Sequence, residues 1–488
     1  MRMLVRTPLL GVAPRLSAAA MPDNQSHSAS PVRAEARRIV RLAWPIMLTS
    51  LNWTLMHIID VAVVGQYGTD ELAALGASRT LTFIAIVMGF SGLTGVLVFA
   101  SRADGGGRLE ETGDIFRSGL MLGLAIGVGV MIVLGLWALP LLALIGVEGA
   151  LQRPAAAVVQ AMAIAFPAQL LLAASSYFLE GISRPQRVMA VNLGMLPLNG
   201  LLAWAWVGGH FGLPPLGAVG AALATASASW IGMIAMLVVI WRLPRAGERR
   251  VRDWSAAALR RAFGGVPRLA WFGLVPAIGA SLELAGFAWL MVLSTQLGNA
   301  VAAAFQAMLS LHNLVFALSM GFGSAAGVRV GNAIGADERD QAWPRAIIAG
   351  LLTLAVVGLL SALLVGFAEV LVIPFSGDPE VLRLAASMLA IMAAFLVFDG
   401  VQYVFGAGLR SLGEQVWAGG NGIVGFFLVT GGLGWLLVRG GWGADGLAWA
   451  AGIGMLVTAS LQFGRFAYVL KIRKREPVSA SPSHQQRL

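Results

Sequence analysis

Apolar residues in this chain come in long runs separated by short polar, arginine-bearing segments, not in the narrow stripes of surface helices. Each run is long enough to cross a hydrocarbon layer, which takes about 20 helical residues. Twelve runs are legible, at approximately 39–65, 72–100, 115–140, 155–180, 187–207 and 216–241, then 267–294, 302–326, 346–373, 383–408, 416–438 and 446–470. Pro45, Pro167, Pro197 and Pro276 fall inside runs and predict kinks, because proline frees carbonyls that neighbouring helices or water must satisfy. The expected fold class is all-α and polytopic, with twelve transmembrane helices.

Composition points the same way. Hydrophobic residues make up 58% of the chain and charged residues 12%, against about 25% charged in soluble proteins. There is no Cys, which removes disulfides and thiolate metal sites. A formal charge of +10 would suit nucleic acid, but its placement follows membrane topology. Of 34 basic residues, only Arg79, Arg153, Arg383 and Arg439 fall on the side opposite the termini. That asymmetry predicts both termini in the cytoplasm, for a multi-pass protein of a bacterial cytoplasmic membrane. Trp44, Trp137, Trp241, Trp435 and Trp442 lie near span ends, where the interface favours them. Metalloprotease, nucleophile-elbow and Walker motifs are all missing, so neither an enzyme nor a bound cofactor is expected.

The chain repeats itself. Gln66-Tyr67-Gly68 has a counterpart in Gln296-Leu297-Gly298, and Met88-Gly89-Phe90 in Met320-Gly321-Phe322. Leu179-Glu180-Gly181-Ile182-Ser183 resembles Leu409-Arg410-Ser411-Leu412-Gly413, and Gly217-Ala218-Val219-Gly220 resembles Gly443-Ala444-Asp445-Gly446. Six spans per unit is an even number, so the two halves enter the membrane from the same side. They form a parallel repeat with a pseudo-two-fold axis along the membrane normal. The expected organisation is a disordered tail over 1–34, an N-lobe over 35–241 and a cytoplasmic linker over 242–266. A C-lobe over 267–475 and a disordered tail over 476–488 complete it. Initiation at Met21 rather than Met1 is an alternative reading of the first tail. In the linker, Asp253 is a candidate cap for a short interfacial helix through Trp254, Leu259 and Phe263.

Three carboxylates interrupt the apolar runs: Asp60, Glu283 and Asp399. An intramembrane acid is costly and usually faces a cavity or a partner, so each is a candidate functional group. Asp60 shares a helical stripe with Trp53, His57 and Val64. It can take up a proton, attract a cationic substrate or hold a neighbouring helix by a hydrogen bond. Asp399 is followed by Gln402 and preceded by Phe395 at one-turn spacing. Facing helices would bring Glu283, Asp399 and the Gln402 amide oxygen together. Such a set of oxygens suits a monovalent cation, shares a proton, or locks two helices. Gln306, Ser310 and Asn313 share one face of the eighth span and are candidate lining residues.

Several motifs carry a resemblance. Trp44-Pro45 opens the first span and Asp60-Val61-Ala62-Val63-Val64-Gly65 closes it. Arg329-Val330-Gly331-Asn332-Ala333-Ile334-Gly335 follows the eighth span, and Gly408-Leu409-Arg410-Ser411-Leu412-Gly413 the tenth. With Glu283 and Asp399-Gly400-Val401-Gln402, the chain resembles the multidrug and toxic compound extrusion (MATE) family, NorM-like branch, over residues 35–470. The resemblance implies a two-lobed antiporter, expected to be a monomer, exporting cationic or amphipathic small molecules against sodium ions or protons. It places the coupling cation, sodium if the metal is used, on Glu283 and Asp399. Phe395 stands where the family often has Tyr, so a ring can still face the cation but the hydroxyl is gone. By analogy, Gln169, Tyr177, Asn192 and Asn199 surround Asp60. A flippase for lipid-linked saccharides, which has a related two-lobed plan, is the alternative. It calls for a basic cavity, whereas the mid-span charges here are acidic.

Overall fold

The computed structural model describes residues 31–212 and 214–472. The tail expected over 1–34 is overturned at its end, where residues 31–34 form the first turn of a helix that starts at Pro31; its remainder, the tail over 476–488 and the choice between Met1 and Met21 lie outside the described residues. The first six spans are α1 (Pro31–Gly65), α2 (Thr69–Gly105), α3 (Leu109–Leu144), α4 (Gly149–Ala163 and Phe166–Gly181), α5 (Pro185–Gly208) and α6 (Gly217–Trp241). The second six are α7 (Ala256–Gln296), α8 (Asn299–Gly335), α9 (Arg339–Gly366), α10 (Pro379–Ser411), α11 (Gln415–Arg439) and α12 (Gly443–Lys471). Taking the bent α4 as one span gives the twelve expected.

Most helices outrun the apolar stretches that announced them. α1, α7 and α8 continue for a turn or more into arginine-bearing sequence. Hydropathy marks the thickness of the hydrocarbon, whereas backbone hydrogen bonding continues until a cap stops it. At the start of α7 the cap is Ser255, whose hydroxyl accepts from the Ala258 amide at 3.3 Å. Asp253 instead accepts from the Ser255 amide at 3.1 Å. Hydrogen bonds from Ser255 hold the Asp253 carboxyl below its ordinary range. The expected short interfacial helix is thus the first turns of α7 itself, entered through Ser255.

The bend in α4, 45° between its two segments, coincides with Pro167. This proline occupies the first turn after the break, where its missing N–H would have been unpaired anyway. α11 deviates differently, with a π-helical stretch over Ile423–Thr430. There the Thr430 hydroxyl donates to the Gly425 carbonyl at 3.1 Å.

The repeat is visible in the turns. Positive φ recurs at Gly68 and Gly298, at Gly107 and Asp337, and at Ser183 and Gly413, each pair 230 residues apart. In the last pair the same cap recurs: Arg184 N–H donates to Leu179 O at 2.8 Å, and Glu414 N–H to Leu409 O at 2.9 Å. This is a Schellman-type ending, which needs a left-handed residue and favours glycine. Ser183 holds that conformation at φ 61° with a Cβ. Ser183→Gly is expected to raise the thermal unfolding midpoint by an amount equivalent to about 0.5–1 kcal/mol, since relief of the left-handed strain outweighs the added chain entropy. An unchanged or lowered midpoint would refute the strain.

Each lobe has its own apolar core. Phe116, Phe178 and Leu179 are among the buried residues of the N-lobe core, and Phe305, Met388 and Phe426 of the C-lobe core. A third cluster joins the lobes, with Ile39 and Ala43 from α1, Val98 from α2, Phe272 from α7 and Phe322 and Ala325 from α8. Backbone meets backbone at this joint. A Cβ on Gly273 would lie 1.8 Å from the Gly92 carbonyl oxygen, and one on Gly335 would lie 1.9 Å from the Arg102 carbonyl oxygen. A Cβ on Gly321 would lie 2.8 Å from the Ala43 carbonyl oxygen. Polar bonds finish the seam. Arg102 donates to the Ser411 carbonyl through Nε at 3.1 Å and Nη2 at 2.9 Å. Asn332 donates to the Ser101 carbonyl at 2.8 Å, and Arg329 pairs with Glu35 at 2.6 Å. All of these contacts lie in the half of the molecule that carries the arginine-rich turns.

Candidate functional site

Asp60 lies on α1 and is 7% exposed. Its Oδ1 accepts from Asn199 Nδ2 of α5 at 2.8 Å, and its Oδ2 lies 3.0 Å from the Thr225 hydroxyl of α6. The same hydroxyl lies 3.2 Å from Asn199 Oδ1. Three helices of the N-lobe therefore meet in a polar triangle set among apolar walls. Thr225 has one hydroxyl proton and two oxygens in reach. With Asp60 ionised, serving one leaves the other short. A proton on Asp60 Oδ2 completes a ring. Asp60 then donates to Thr225, Thr225 to Asn199 Oδ1, and Asn199 Nδ2 to Asp60 Oδ1.

In the C-lobe, Asp399 of α10 is 3% exposed. Gln402 Nε2 donates to its Oδ1 at 3.3 Å, and His312 Nε2 of α8 lies 3.2 Å from its Oδ2. Glu283 of α7 is half-buried and within electrostatic range of Asp399 and Arg410. Phe287, one turn beyond Glu283, stacks on His312 at 5.7 Å. Among the described residues no three His, Asp or Glu side chains converge as a metal cage. A sodium ion held here would rest on two carboxylates completed by amide or water oxygens.

Both lobes thus carry a buried, hydrogen-bonded carboxylate. A family model described as MatE matches residues 45–205 and 276–432, well over half of the chain. The chain belongs to the MATE family.

Relatives agree with this placement. A probable multidrug resistance protein NorM of Caulobacter vibrioides is 30% identical over 451 residues, covering 89% of this chain and 91% of its own length. Multidrug resistance protein NorM of Vibrio parahaemolyticus is 27% identical, covering 88% of this chain and 95% of its own length. Among solved structures, the eukaryotic MATE transporter AtDTX14 superposes with a TM-score of 0.81 at 20% identity, covering 91% of this chain and 99% of that one. An outward-facing MATE transporter of the MOP superfamily gives 0.79 at 19% identity, covering 91% and 97%. At such identities the structures attest the fold.

The remaining candidate residues of this MATE chain scatter. Trp53 packs edge-on against Phe90 at 5.5 Å, and His57 is half-buried on the Asp60 helix. Asn192 turns back to the Val188 carbonyl of its own helix at 2.9 Å, and Gln169 is buried. Tyr177 faces the other lobe, within electrostatic range of Tyr403, Glu180 and Arg410. Phe395 turns to α12, edge-on to Trp449 at 5.6 Å and pressed over Gly452. Ser310 donates to the Gln306 carbonyl at 2.9 Å, while the Gln306 and Asn313 side chains are exposed.

Two residues of these clusters, and one outside them, escaped the reading of the sequence. Thr225 is one hydroxyl in an Ala/Ser run and gives no local signal. His312 interrupts an apolar span as the carboxylates do, and the cost of an intramembrane ionisable group was the signal that should have found it. Glu180 is 5% exposed and occupies the position repeated by Arg410, so charges of opposite sign occupy matching places in the two halves.

Proposed function

We propose that this chain is a secondary antiporter that exports cationic or amphipathic drugs from the cytoplasm in exchange for sodium ions or protons, by alternating access of the two lobes. The observation that carries the reading is the pair of buried carboxylate clusters, one per lobe. With the arginine-rich end cytoplasmic, as the charge asymmetry expects, the polar bonds between the lobes fall on the cytoplasmic side, which supports an outward-opening state. Family membership and the multidrug resistance for which the NorM relatives are named support the cargo class. Among the buried acids are Asp60, Glu180 and Asp399, and an acidic interior suits cationic cargo better than the pyrophosphate of a lipid-linked saccharide. Purified protein in vesicles, loaded with ethidium and given an imposed sodium or pH gradient, is expected to move the dye against its own gradient. No movement under either gradient would end this reading.

Within it, Asp60 takes the proton. An Asn at 60 can rebuild the closed ring, since its amide donates to Thr225 where the acid proton did. Asp60→Asn is therefore expected to insert normally, to flatten the pH dependence of efflux and to spare dye binding at fixed pH. Intact pH dependence together with selective loss of cationic over neutral dye affinity would assign Asp60 to cargo instead.

A further inference from the structure

His312 is a buried imidazole in a membrane span that neither the sequence motifs nor the fold requires. It is 7% exposed and sits between Phe287 at 5.7 Å and Phe316 at 6.0 Å, ring beside ring. Flanked on both sides, the ring keeps Nε2 aimed at Asp399 Oδ2, 3.2 Å away. Facing an ionised carboxylate, Nε2 carries a proton and donates it, and Nδ1 is the ring's other polar atom. That Nδ1 is buried without a hydrogen-bond partner. A histidine kept only for packing would not carry this uncompensated cost, since phenylalanine fills the same space without it. What the imidazole supplies and phenylalanine does not is the N–H on Asp399.

We propose that His312 is a positioning residue for the coupling-ion site, setting the orientation of the Asp399 carboxylate. This rests on the antiporter reading above. Gln402 holds Oδ1 from the same helix, one turn on. His312 holds Oδ2 from α8, a different helix. Two donors from two helices remove the freedom of the carboxylate to rotate, so its unshared lone pairs point in one direction. An acid left loose in an apolar wall would have to be ordered each time an ion arrived, and that ordering would weaken binding. The Phe at 395 makes the arrangement matter more. Its ring is engaged with Trp449 and Gly452 of α12 and offers no hydroxyl to the acid. His312 is thus the polar partner that reaches Asp399 from outside its own helix.

The test uses the full chain in vesicles, with ethidium efflux followed against sodium concentration at fixed pH and against pH without sodium. His312→Phe keeps the stacked ring and deletes the N–H. His312→Gln keeps an N–H donor at similar reach and deletes the ring. The Phe variant is expected to raise the half-saturating concentration of whichever ion drives the wild type by about tenfold or more, the usual consequence of losing a hydrogen bond to a charged group. The maximal rate should fall less, and His312→Gln should restore most of the ion affinity. If the Phe variant fails to insert, His312→Leu is read in its place. Unchanged ion dependence in the donor-less variant, or equal loss in the Phe and Gln variants, would overturn the positioning role while leaving the antiporter reading intact. A wild type driven by neither ion would instead overturn the antiporter reading, and this proposal with it.

Discussion

Asp399→Asn is expected to reduce gradient-driven dye efflux by about a hundredfold or more, as does truncating one partner of a desolvated ion pair. The carboxylate is buried at 3% exposure and already holds two donors, His312 and Gln402. An Asn side chain matches its shape but brings an amide N–H toward one of those donors, so the cluster loses both its charge and one acceptor. Glu283→Gln is expected to act in the same direction, since Glu283 is the other acid in electrostatic range. Neither change should prevent insertion, because each removes a costly charge from an apolar environment. Dye binding to the protein without a gradient should persist in both variants, which separates loss of coupling from loss of fold. Undiminished efflux in both would dispose of the ion site in the C-lobe.

Gly335→Val should produce the second large effect, by a different route. The space for its first carbon is already taken by the Arg102 carbonyl oxygen, 1.9 Å away. Backbone cannot step aside as a flexible side chain can. Overpacking of this kind costs about 1–3 kcal/mol or more. The cost falls only on the state in which the arginine-rich ends of the lobes touch, so it becomes a change of population in place of unfolding. A bias of about 3 kcal/mol shifts a two-state ratio more than a hundredfold. Spin labels on the two lobes at that end should report a larger separation than in the wild type, and efflux should fall although the ion and Asp60 clusters are intact. Wild-type separation with wild-type efflux would show that the seam does not open during transport.

The sequence carried most of the architecture because a membrane span is written in one variable, the length of an apolar run. The twelve spans, the α-only class and the even-numbered repeat follow from that variable and from motif offsets. Side-chain direction is a different quantity. Tyr177 lies beyond the bend of α4, and the 45° change of axis there decides which neighbour it meets. Hydropathy cannot report such an angle. Phe395 turned toward α12 because Gly452 leaves a gap of ring size, a matter of pairing between distant segments. Asn199 was legible as a polar residue near Asp60, yet the closed geometry depends on Thr225, indistinguishable in sequence from its Ser and Ala neighbours. His312 was readable by rule, and only the focus on acids hid it.

Part of the seam between the lobes is main chain on main chain: Gly92 on Gly273, Gly335 on the Arg102 carbonyl, Gly321 on the Ala43 carbonyl. Where backbone meets backbone, the fit depends on shape alone, while Arg102, Asn332 and the Arg329–Glu35 pair supply the side-chain bonds of the seam. Mutations inside either chamber therefore do not have to be matched by changes across the hinge. One half holds a triangle of Asp60, Asn199 and Thr225, the other a cluster of His312 and Gln402 around Asp399. The glycines that look like the least informative part of this chain are what left its two chambers free to diverge.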